Sequence, residues 1–289
     1  MADGRVVLDL DRESGIARVT LDNPARRNAY DPALREQLGS HLDALADDDD
    51  VKVVLLRGEG GVFSTGADMA NAYSWYESPD GDPARRRRPS QRRRLAVDRR
   101  TFGFYHELMG YPKVLVAEVA GYALGGGFEL ALMADLAVVG RTTMLGMPAT
   151  RFLGPALGSL HLFFHRLGPV LARRFLLTGD TVPASTVEHL GVFTEVVDDD
   201  AVGRRAEWWA RKVAKMPADG IVMAKEAVRL DEQLQSYQGE EVASYLFHAF
   251  GTNLQFEEDE FNFVKARAEH GTTKAFELRD AHFHVPEPE

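Results

Sequence analysis

Two segments rich in small residues stand out as places where a ligand could approach the main chain closely. The first glycine loop, Val62–Met69, has Gly66 and Ala67 near its centre, and the second glycine loop, Val119–Leu130, contains Gly125–Gly127. Each follows an apolar run and precedes a predicted helix, where backbone amides carry partial positive charge. Considered separately, the first loop can be a tight turn and the second can serve close packing of a strand on a helix.

Together the two loops predict a more specific kind of site. Each can present one backbone N–H to the same oxygen, which makes an oxyanion hole for charge that develops on a carbonyl. A dinucleotide-binding loop is the competing interpretation, but the three consecutive glycines lack the G-x-G-x-x-G spacing, and no suitable acidic residue follows about twenty residues later. We therefore expect carbonyl chemistry rather than nicotinamide binding.

The elements around these loops predict an α/β fold. Two short apolar runs, Val6–Leu10 and Ile16–Leu21, are separated by a polar turn and predict a β-hairpin. Compact apolar runs at Val51–Leu56, Val114–Val119 and Leu136–Val139 indicate buried strands, and the first two of these enter glycine-rich loops. Strands that alternate with helices place the working loops at strand ends.

A helix is predicted after the hairpin. Asp31 is a suitable N-cap and Pro32 a suitable first residue, and Asp47–Asp50 end the segment. Between them, leucines recur at helical spacing, at Leu34, Leu38, Leu42 and Leu45.

Two regions follow from the change in pattern along the chain. Residues 1–203 form an α/β core, and residues 204–289 form a helical C-terminal region, because apolar residues recur there at helix-like spacings without a strong strand signal. Within the core, Ser78–Ser90 is rich in Pro, Gly and Arg, and we expect a mobile, arginine-rich insert over about residues 78–100.

Composition excludes several classes of function. There is no cysteine, so disulfides, thiolate nucleophiles and cysteine-ligated metals are excluded. A net charge of −10 argues against broad binding to nucleic acid or anionic membranes, although the arginine-rich insert is locally basic. No apolar stretch approaches the roughly 20 residues of a spanning helix, and the N-terminus does not resemble an export signal, so we expect a cytoplasmic protein.

Five motifs resemble the crotonase (enoyl-CoA hydratase/isomerase) superfamily in order and spacing. Phe63–Asp68 and Gly121–Leu130 resemble its two signature loops, and Asn23–Ala29 resembles its early CoA-contacting loop. Leu176–Asp180 and Gly191–Val197 extend the resemblance, which covers about residues 6–225. The resemblance implies a spiral of repeated β-β-α units with a helical C-terminal extension.

The resemblance also implies roles for individual residues. The amides of Ala67 and Gly126 would hold the thioester oxygen of an acyl-CoA substrate and stabilise its enolate. The rest of the substrate and CoA path would be lined by Arg26, Arg27, Ala29, Gly66, Asp68, Met69 and Gly125. No metal and no cofactor other than the CoA of the substrate is implied. The core would bind acyl-CoA, and the C-terminal helices would form a homotrimer or a dimer of trimers.

One carboxylate of the resemblance is present and a second is missing. Glu129 matches the first of the two carboxylates with which typical enoyl-CoA hydratases hold a water, and a useful base needs its pKa raised by apolar neighbours such as Phe128 and Leu130. A solvated or salt-bridged helix residue is the alternative for Glu129. Where the second carboxylate is expected, the chain has Ala149. Other groups that could carry the missing proton are His161, His165, Asp135 and Arg151.

Several functions remain open from the sequence. The leading hypothesis is hydration or double-bond isomerisation of an enoyl-CoA. Hydrolysis, decarboxylation, carbon–carbon cleavage and binding without turnover also fit the scaffold. A different class is RNA binding through Arg85–Arg100, which holds nine arginines in sixteen residues, although a basic lid that attracts CoA phosphates explains the same run. Tyr73, Trp75 and Tyr76 can shape an acyl pocket or belong to the core.

Overall fold

The computed structural model describes residues 4–70, 74–76, 89–153, 158, 160–234, 240–251, 256 and 260–284. Its main sheet has six strands in the order β1-β2-β3-β4-β6-β9. The first two, β1 (Arg5–Asp11) and β2 (Ile16–Asp22), are the predicted antiparallel hairpin. The remaining strands of this sheet run parallel, and they are β3 (Val53–Gly58), β4 (Val114–Val119), β6 (Leu136–Gly140) and β9 (Glu195–Val197).

A second sheet of three short strands lies beside the functional loops. Its order is β5-β7-β8, with β5 at Tyr122–Leu124, β7 at Met144–Gly146 and β8 at Thr181–Pro183. Strand β5 belongs to the second glycine loop, so this small sheet holds that loop against the chain on either side of it.

In the first half of the chain, the first and third described helices follow the predicted pattern, and the second was not predicted. Helix α1 (Pro32–Ala46) begins where Asp31 accepts a hydrogen bond from the Leu34 amide at 2.9 Å, and its four leucines are buried. Helix α2 (Gln91–Met109) is capped by Ser90 and leads into β4. The second glycine loop ends in α3 (Gly126–Met133).

The second half is mostly helical. The bounds of its helices are α4 (Leu160–Thr178), α5 (Val202–Ala214), α6 (Ala218–Glu232), α7 (Glu240–Gly251), α8 (Phe263–His270) and α9 (Thr272–His282). In the described part of the chain, no helix has both the length and the apolar character that crossing a membrane requires.

Both faces of the central strands of the main sheet are buried, which explains their continuous apolar runs. A separate cluster of buried apolar side chains covers each face. In β3, Val53 and Leu55 belong to the cluster on one face, and Val54 and Leu56 belong to the cluster on the other face. Strand side chains alternate between faces, so a run of four apolar residues is needed to fill both. The first of these clusters is completed by α5.

Helix α5 corrects the expected division of the chain. Its residues Val202, Ala206 and Ala210 are buried against the sheet, so α5 belongs to the core and the boundary expected at residue 203 falls inside it. Helical periodicity reveals a buried face but not the surface that covers it, which is why the sequence did not place α5. Assembly through the helices that follow stays a prediction.

The arginine-rich insert is also revised where it is described. Residues 91–100, expected to be mobile, form the first half of α2. Residues 78–88 lie outside the described residues. Ser90 caps the helix by accepting a hydrogen bond from the amide of Arg93 at 3.2 Å. This N-cap, followed by good helix formers, starts the helix despite the preceding run of arginines.

Candidate active site

The two glycine loops lie side by side and are hydrogen-bonded along their backbones. The amide of Ser64 donates to the carbonyl of Tyr122 at 2.9 Å, and the amide of Leu124 donates back to Ser64 at 3.1 Å. These bonds form an isolated parallel bridge between Ser64 and Ala123. Residues some sixty positions apart are thereby held in one place.

Glycine is required where the loops touch. Gly66 has a φ of +80°, and a Cβ on it would lie 2.7 Å from both the amide nitrogen of Gly126 and the carbonyl oxygen of Leu124. A Cβ on Gly127 would lie 2.3 Å from the carbonyl oxygen of Ser64. Close packing therefore explains Gly66 and Gly127, whereas Gly125 has a φ of +55° and no atom near its Cβ position.

The two amides expected to bind an oxygen have no acceptor in the described part of the protein. Tyr30 donates its amide to the carbonyl of Gly66 and accepts from the amide of Asp68, both at 2.9 Å, and this bridge leaves the N–H of Ala67 between them without a backbone acceptor. The N–H of Gly126 is the first of helix α3, where no intrahelical acceptor exists. Both residues line the same cavity.

That cavity has a volume of about 1240 Å³ and collects nearly all of the predicted site residues. Its wall includes the predicted residues Arg26, Arg27, Ala29, Ala67, Asp68, Met69, Gly125, Gly126 and Glu129. Gly66 is the exception, since it packs between the loops behind the wall.

The loop Asn23–Ala29, expected to contact CoA, is joined to the first glycine loop by an ion pair. The guanidinium of Arg26 pairs with Oδ2 of Asp68, and Oδ1 of Asp68 accepts the amide of Ala70 at 2.9 Å. Asp68 thus has a structural role in the loop. Arg27 lies over the ring of Tyr122 at 5.0 Å, which fixes its guanidinium at the cavity wall.

Glu129 is a buried carboxylate in the wall of this cavity. It lies in the first turn of α3 and is 2% exposed, so it is not a solvated helix residue. Oε1 accepts a hydrogen bond from the amide of Gly158. The ring of Phe128, one of the two expected apolar neighbours, packs against Phe163 and Phe175 in the core.

The position of the missing second carboxylate is part of the same wall. Ala149 lies in the short 3₁₀ turn Pro148–Arg151 and is half-buried beside the cavity. The two candidate histidines do not replace it, because His161 and His165 stack on each other along α4 and are not among the described wall residues.

The other two residues that could replace the missing second carboxylate, Asp135 and Arg151, form ion pairs. Asp135 pairs with Lys225 at 2.7 Å, away from the described wall. Arg151 does line the cavity, but it lies within 4 Å of the carboxylates of Asp180 and Asp280. Neither of them therefore takes the place of a second acid or base beside Glu129.

Two of the three aromatic residues expected to shape an acyl pocket lie in the cavity wall, and the sequence did not show the polar partners of one of them. Trp75 and Tyr76 line the cavity, while Tyr73 lies outside the described residues. The hydroxyl of Tyr76 donates to Oδ1 of Asp98 at 2.7 Å, and Nδ1 of His248 lies 3.1 Å from the same oxygen. No sequence signal joins Asp98 to a histidine that lies 150 residues later.

Arg94 bears on the RNA-binding alternative. It belongs to the run Arg85–Arg100, but it is 7% exposed, lines the cavity, and lies over the ring of Tyr76. Arg93 turns toward the same segment and donates to the Tyr76 carbonyl at 3.3 Å. These two arginines therefore serve the cavity wall and not an open basic surface.

No sequence signal pointed to two buried tyrosine hydroxyls in the cavity wall. Tyr30 and Tyr105 are buried, line the cavity, and are hydrogen-bonded to each other through their hydroxyl oxygens. Burial raises the pKa of both phenols. Tyr30 directly precedes the predicted N-cap of α1 and gave no motif signal, and Tyr105 is one of several aromatic residues of α2.

Comparison with known proteins agrees with this geometry. Residues 11–274 match the family model "Enoyl-CoA hydratase/isomerase". The chain is 30% identical to "Probable enoyl-CoA hydratase echA8" of Mycobacterium bovis, over 86% of this chain and 91% of that one. It is 29% identical to 2,3-dehydroadipyl-CoA hydratase of Escherichia coli, over 80% and 85% of the two chains.

A solved structure supports the same assignment. The crystal structure of enoyl-CoA hydratase from Mycobacterium smegmatis superposes with a TM-score of 0.82 at 25% identity, covering 96% of this chain and 93% of that one. The chain therefore belongs to the enoyl-CoA hydratase/isomerase family, has the crotonase fold, and is an acyl-CoA-processing enzyme of the crotonase type.

Proposed function

We propose that the protein forms an enolate of an enoyl-CoA thioester, with the amides of Ala67 and Gly126 as the oxyanion hole and Glu129 as the base. One observation carries this: a buried carboxylate and two backbone N–H groups, for which the described residues provide no acceptor, share one cavity wall. When a base removes a proton beside the thioester carbonyl, negative charge moves to the carbonyl oxygen. Fixed N–H dipoles at that oxygen lower the barrier.

Within this chemistry, double-bond isomerisation is the reaction that the described wall favours. Isomerisation between a 3-enoyl-CoA and a 2-enoyl-CoA needs one base that removes a proton and returns it to another carbon, which Glu129 alone can do. Hydration benefits from a second proton-handling group, and Ala149 stands where the family resemblance places one. The hydratase names of the relatives keep hydration as the second candidate.

The oligomer belongs to the same proposal. The resemblance supports a trimer or a dimer of trimers built through the C-terminal helices. The exposed apolar side chains of α6, among them Val222, Met223 and Leu230, are consistent with a surface that a second subunit covers. The purified protein should elute as a trimer or a hexamer in size-exclusion chromatography with light scattering.

The reaction is tested with two substrates and two variants. Purified wild type is incubated with a 3-enoyl-CoA and with crotonyl-CoA while the absorbance of the 2-enoyl thioester is followed. With wild type, we expect the absorbance to rise with the 3-enoyl substrate and to fall slightly or stay constant with crotonyl-CoA. With Glu129→Gln, the absorbance should stay constant with both substrates. The matched control is Glu118→Gln, because Glu118 is half-buried on β4 but absent from the described cavity wall.

The outcomes separate the alternatives. A Glu129-dependent loss of signal from crotonyl-CoA would assign hydration despite Ala149. Turnover that persists in Glu129→Gln at the wild-type rate would show that Glu129 is not the base. Tight binding of both thioesters without turnover would assign a binding protein.

A further inference from the structure

The hydroxyls of Tyr30 and Tyr105 lie next to the Cα of Gly126, the residue that supplies the second amide of the oxyanion hole. A Cβ built on Gly126 would lie 2.0 Å from the Tyr30 oxygen and 2.6 Å from the Tyr105 oxygen. The main chain of Tyr30 also brackets the first amide, since it bonds to the residues on either side of Ala67. Tyr30 therefore touches both loops from which the hole is built.

The same cluster includes the carboxylate. A Cβ on Gly158 would lie 2.8 Å from the ring of Tyr105, and the amide of Gly158 donates to Glu129. The charge of Glu129 also acts on both phenols, since it raises the pKa of Tyr30 and of Tyr105. The hydroxyl pair thus lies between the oxyanion hole and the proposed base.

One of the two hydroxyl protons of Tyr30 and Tyr105 has no acceptor among the described residues. Two phenol hydroxyls carry two protons, and the hydrogen bond between them uses one. In the described part of the chain, no acceptor for the other proton is present, although Tyr30 is 3% exposed and Tyr105 is 5% exposed. A buried hydroxyl proton without an acceptor is unfavourable, so an acceptor supplied by a ligand in the cavity stabilises the pair.

The charge state of the pair limits it to donation. Burial raises the pKa of both phenols, and the Glu129 carboxylate adds to this effect, while Arg35 opposes it. Both tyrosines therefore stay protonated at neutral pH. A neutral phenol in a dry site is a hydrogen-bond donor to developing negative charge, not a base.

We propose that the Tyr30 hydroxyl is a third hydrogen-bond donor to the thioester oxygen, beside the amides of Ala67 and Gly126, and that Tyr105 is a positioning residue that donates to the Tyr30 oxygen. This inference rests on the proposed function. When Glu129 takes the proton of the adjacent carbon, the C–H electrons form the C=C bond and the carbonyl π electrons move to the oxygen. The Tyr30 proton stays on Tyr30 throughout.

The test measures enolate formation directly, whether the enzyme catalyses isomerisation or hydration. Butyryl-CoA is saturated, so it can be neither hydrated nor isomerised, but its proton beside the carbonyl exchanges with D₂O whenever the enolate forms. Exchange is followed by NMR for wild type, Tyr30→Phe, Tyr105→Phe and the double variant. The control is Tyr111→Phe, because Tyr111 is a buried tyrosine whose hydroxyl donates to the Leu42 carbonyl at 2.8 Å, outside the described wall.

The inference predicts an ordered set of rates. Tyr30→Phe should slow exchange by about 10²-fold, as the loss of one oxyanion donor does elsewhere. Tyr105→Phe should have a smaller effect, and the double variant should be little slower than Tyr30→Phe because both changes act on one hydrogen bond. Tyr111→Phe should exchange at the wild-type rate.

A spectroscopic measurement separates donation to the substrate from donation to Glu129. A bound 2-enoyl-CoA absorbs at longer wavelength when its carbonyl is polarised, and Tyr30→Phe should reduce that shift while the fold, followed by circular dichroism, is kept. An unchanged shift with a displaced pH profile would mean that Tyr30 acts on Glu129, which overturns the inference. So would a wild-type exchange rate in a folded Tyr30→Phe variant.

Failure of the proposed enolate function gives a different result from failure of the third donor. If wild type exchanges no proton of butyryl-CoA and Glu129→Gln behaves the same, the enolate function itself is wrong. If wild type exchanges, Glu129→Gln does not, and both tyrosine variants match wild type, the base is confirmed and only the third donor is rejected.

Discussion

The Nδ1 atom of His248 lies 3.1 Å from Oδ1 of Asp98, and this contact joins helix α7 to the middle of helix α2. Asp98 is 1% exposed and also accepts the hydroxyl of Tyr76. Phe102, one turn further along α2, packs its ring edge against the imidazole at 5.0 Å. A wall of the acyl cavity is therefore supported by a single buried carboxylate.

Removing that carboxylate should destabilise the protein. In Asp98→Ala, Tyr76 and His248 lose a buried acceptor, and we expect the free energy of unfolding to fall by about 1–3 kcal/mol. Asp50→Ala is the matched comparison, because Asp50 pairs with Arg12 on an exposed surface where such pairs contribute about 0–1 kcal/mol. Urea denaturation measures both. Equal losses would contradict a structural role of the buried site.

A second carboxylate placed at residue 149 should add hydration to the activities of the enzyme. Ala149 is half-buried in the same wall as Glu129, so Ala149→Glu supplies the proton-handling group that the family resemblance places there. Hydration of crotonyl-CoA should rise by about 10²-fold or more, the usual contribution of a positioned acid or base. Ala149→Gln, which has the same size without an ionisable group, should show no such gain.

The contact between the two glycine loops is tested by one added methyl group. In Gly66→Ala, the Cβ would lie 2.7 Å from the amide of Gly126, so the loops must separate and the two hole amides must move apart. We expect enolate formation to fall by at least 10²-fold. Gly61→Ala is the control for backbone strain, since Gly61 has a φ of +73° but no atom within 4 Å of its Cβ position.

The ion pair between β2 and α5 predicts a pH-dependent loss of stability. Arg18 donates to both oxygens of Glu207, at 2.6 and 3.1 Å, and this pairing lowers the pKa of Glu207. A carboxyl whose pKa is lowered in the folded state stabilises the fold above its unfolded pKa of about 4.3 and loses that contribution as the pH falls through the folded value. Glu207→Gln should therefore lower the melting temperature at pH 7, and the difference from wild type should vanish in acid. A constant difference at all pH values would show that the charge is not the cause.

The sequence identified what depends on local pattern. The N-cap at Asp31, the leucine stripe of α1 and the strand β4 were found because capping chemistry and apolar spacing act within a few residues. The two glycine loops are recognisable by residue type and order, and the expectation that both present an amide to one oxygen places them side by side. Ala149 was recognised as a departure from the family resemblance.

What the sequence did not show depends on distant pairing. The face of α5 is complementary to strands that lie up to 190 residues earlier, and periodicity does not name that partner. Asp98 meets His248, and Tyr30 meets Tyr105, only after the sheet has brought their helices and loops together. His161 and His165 were considered because they are near Ala149 in sequence, but α4 carries them away from the described wall.

The paired bridges of Tyr30 with Ala67 and of Ser64 with Ala123 also govern when the site exists during synthesis and how it opens. Backbone hydrogen bonds hold both glycine loops, so we expect the amide protons of Ser64 and Asp68 to exchange with solvent only when large parts of the sheet unfold. A nascent chain that ends before Gly126 lacks one of the two donors. On the proposed function, the capacity to polarise a thioester therefore arises in one step, when the second glycine loop pairs with the first.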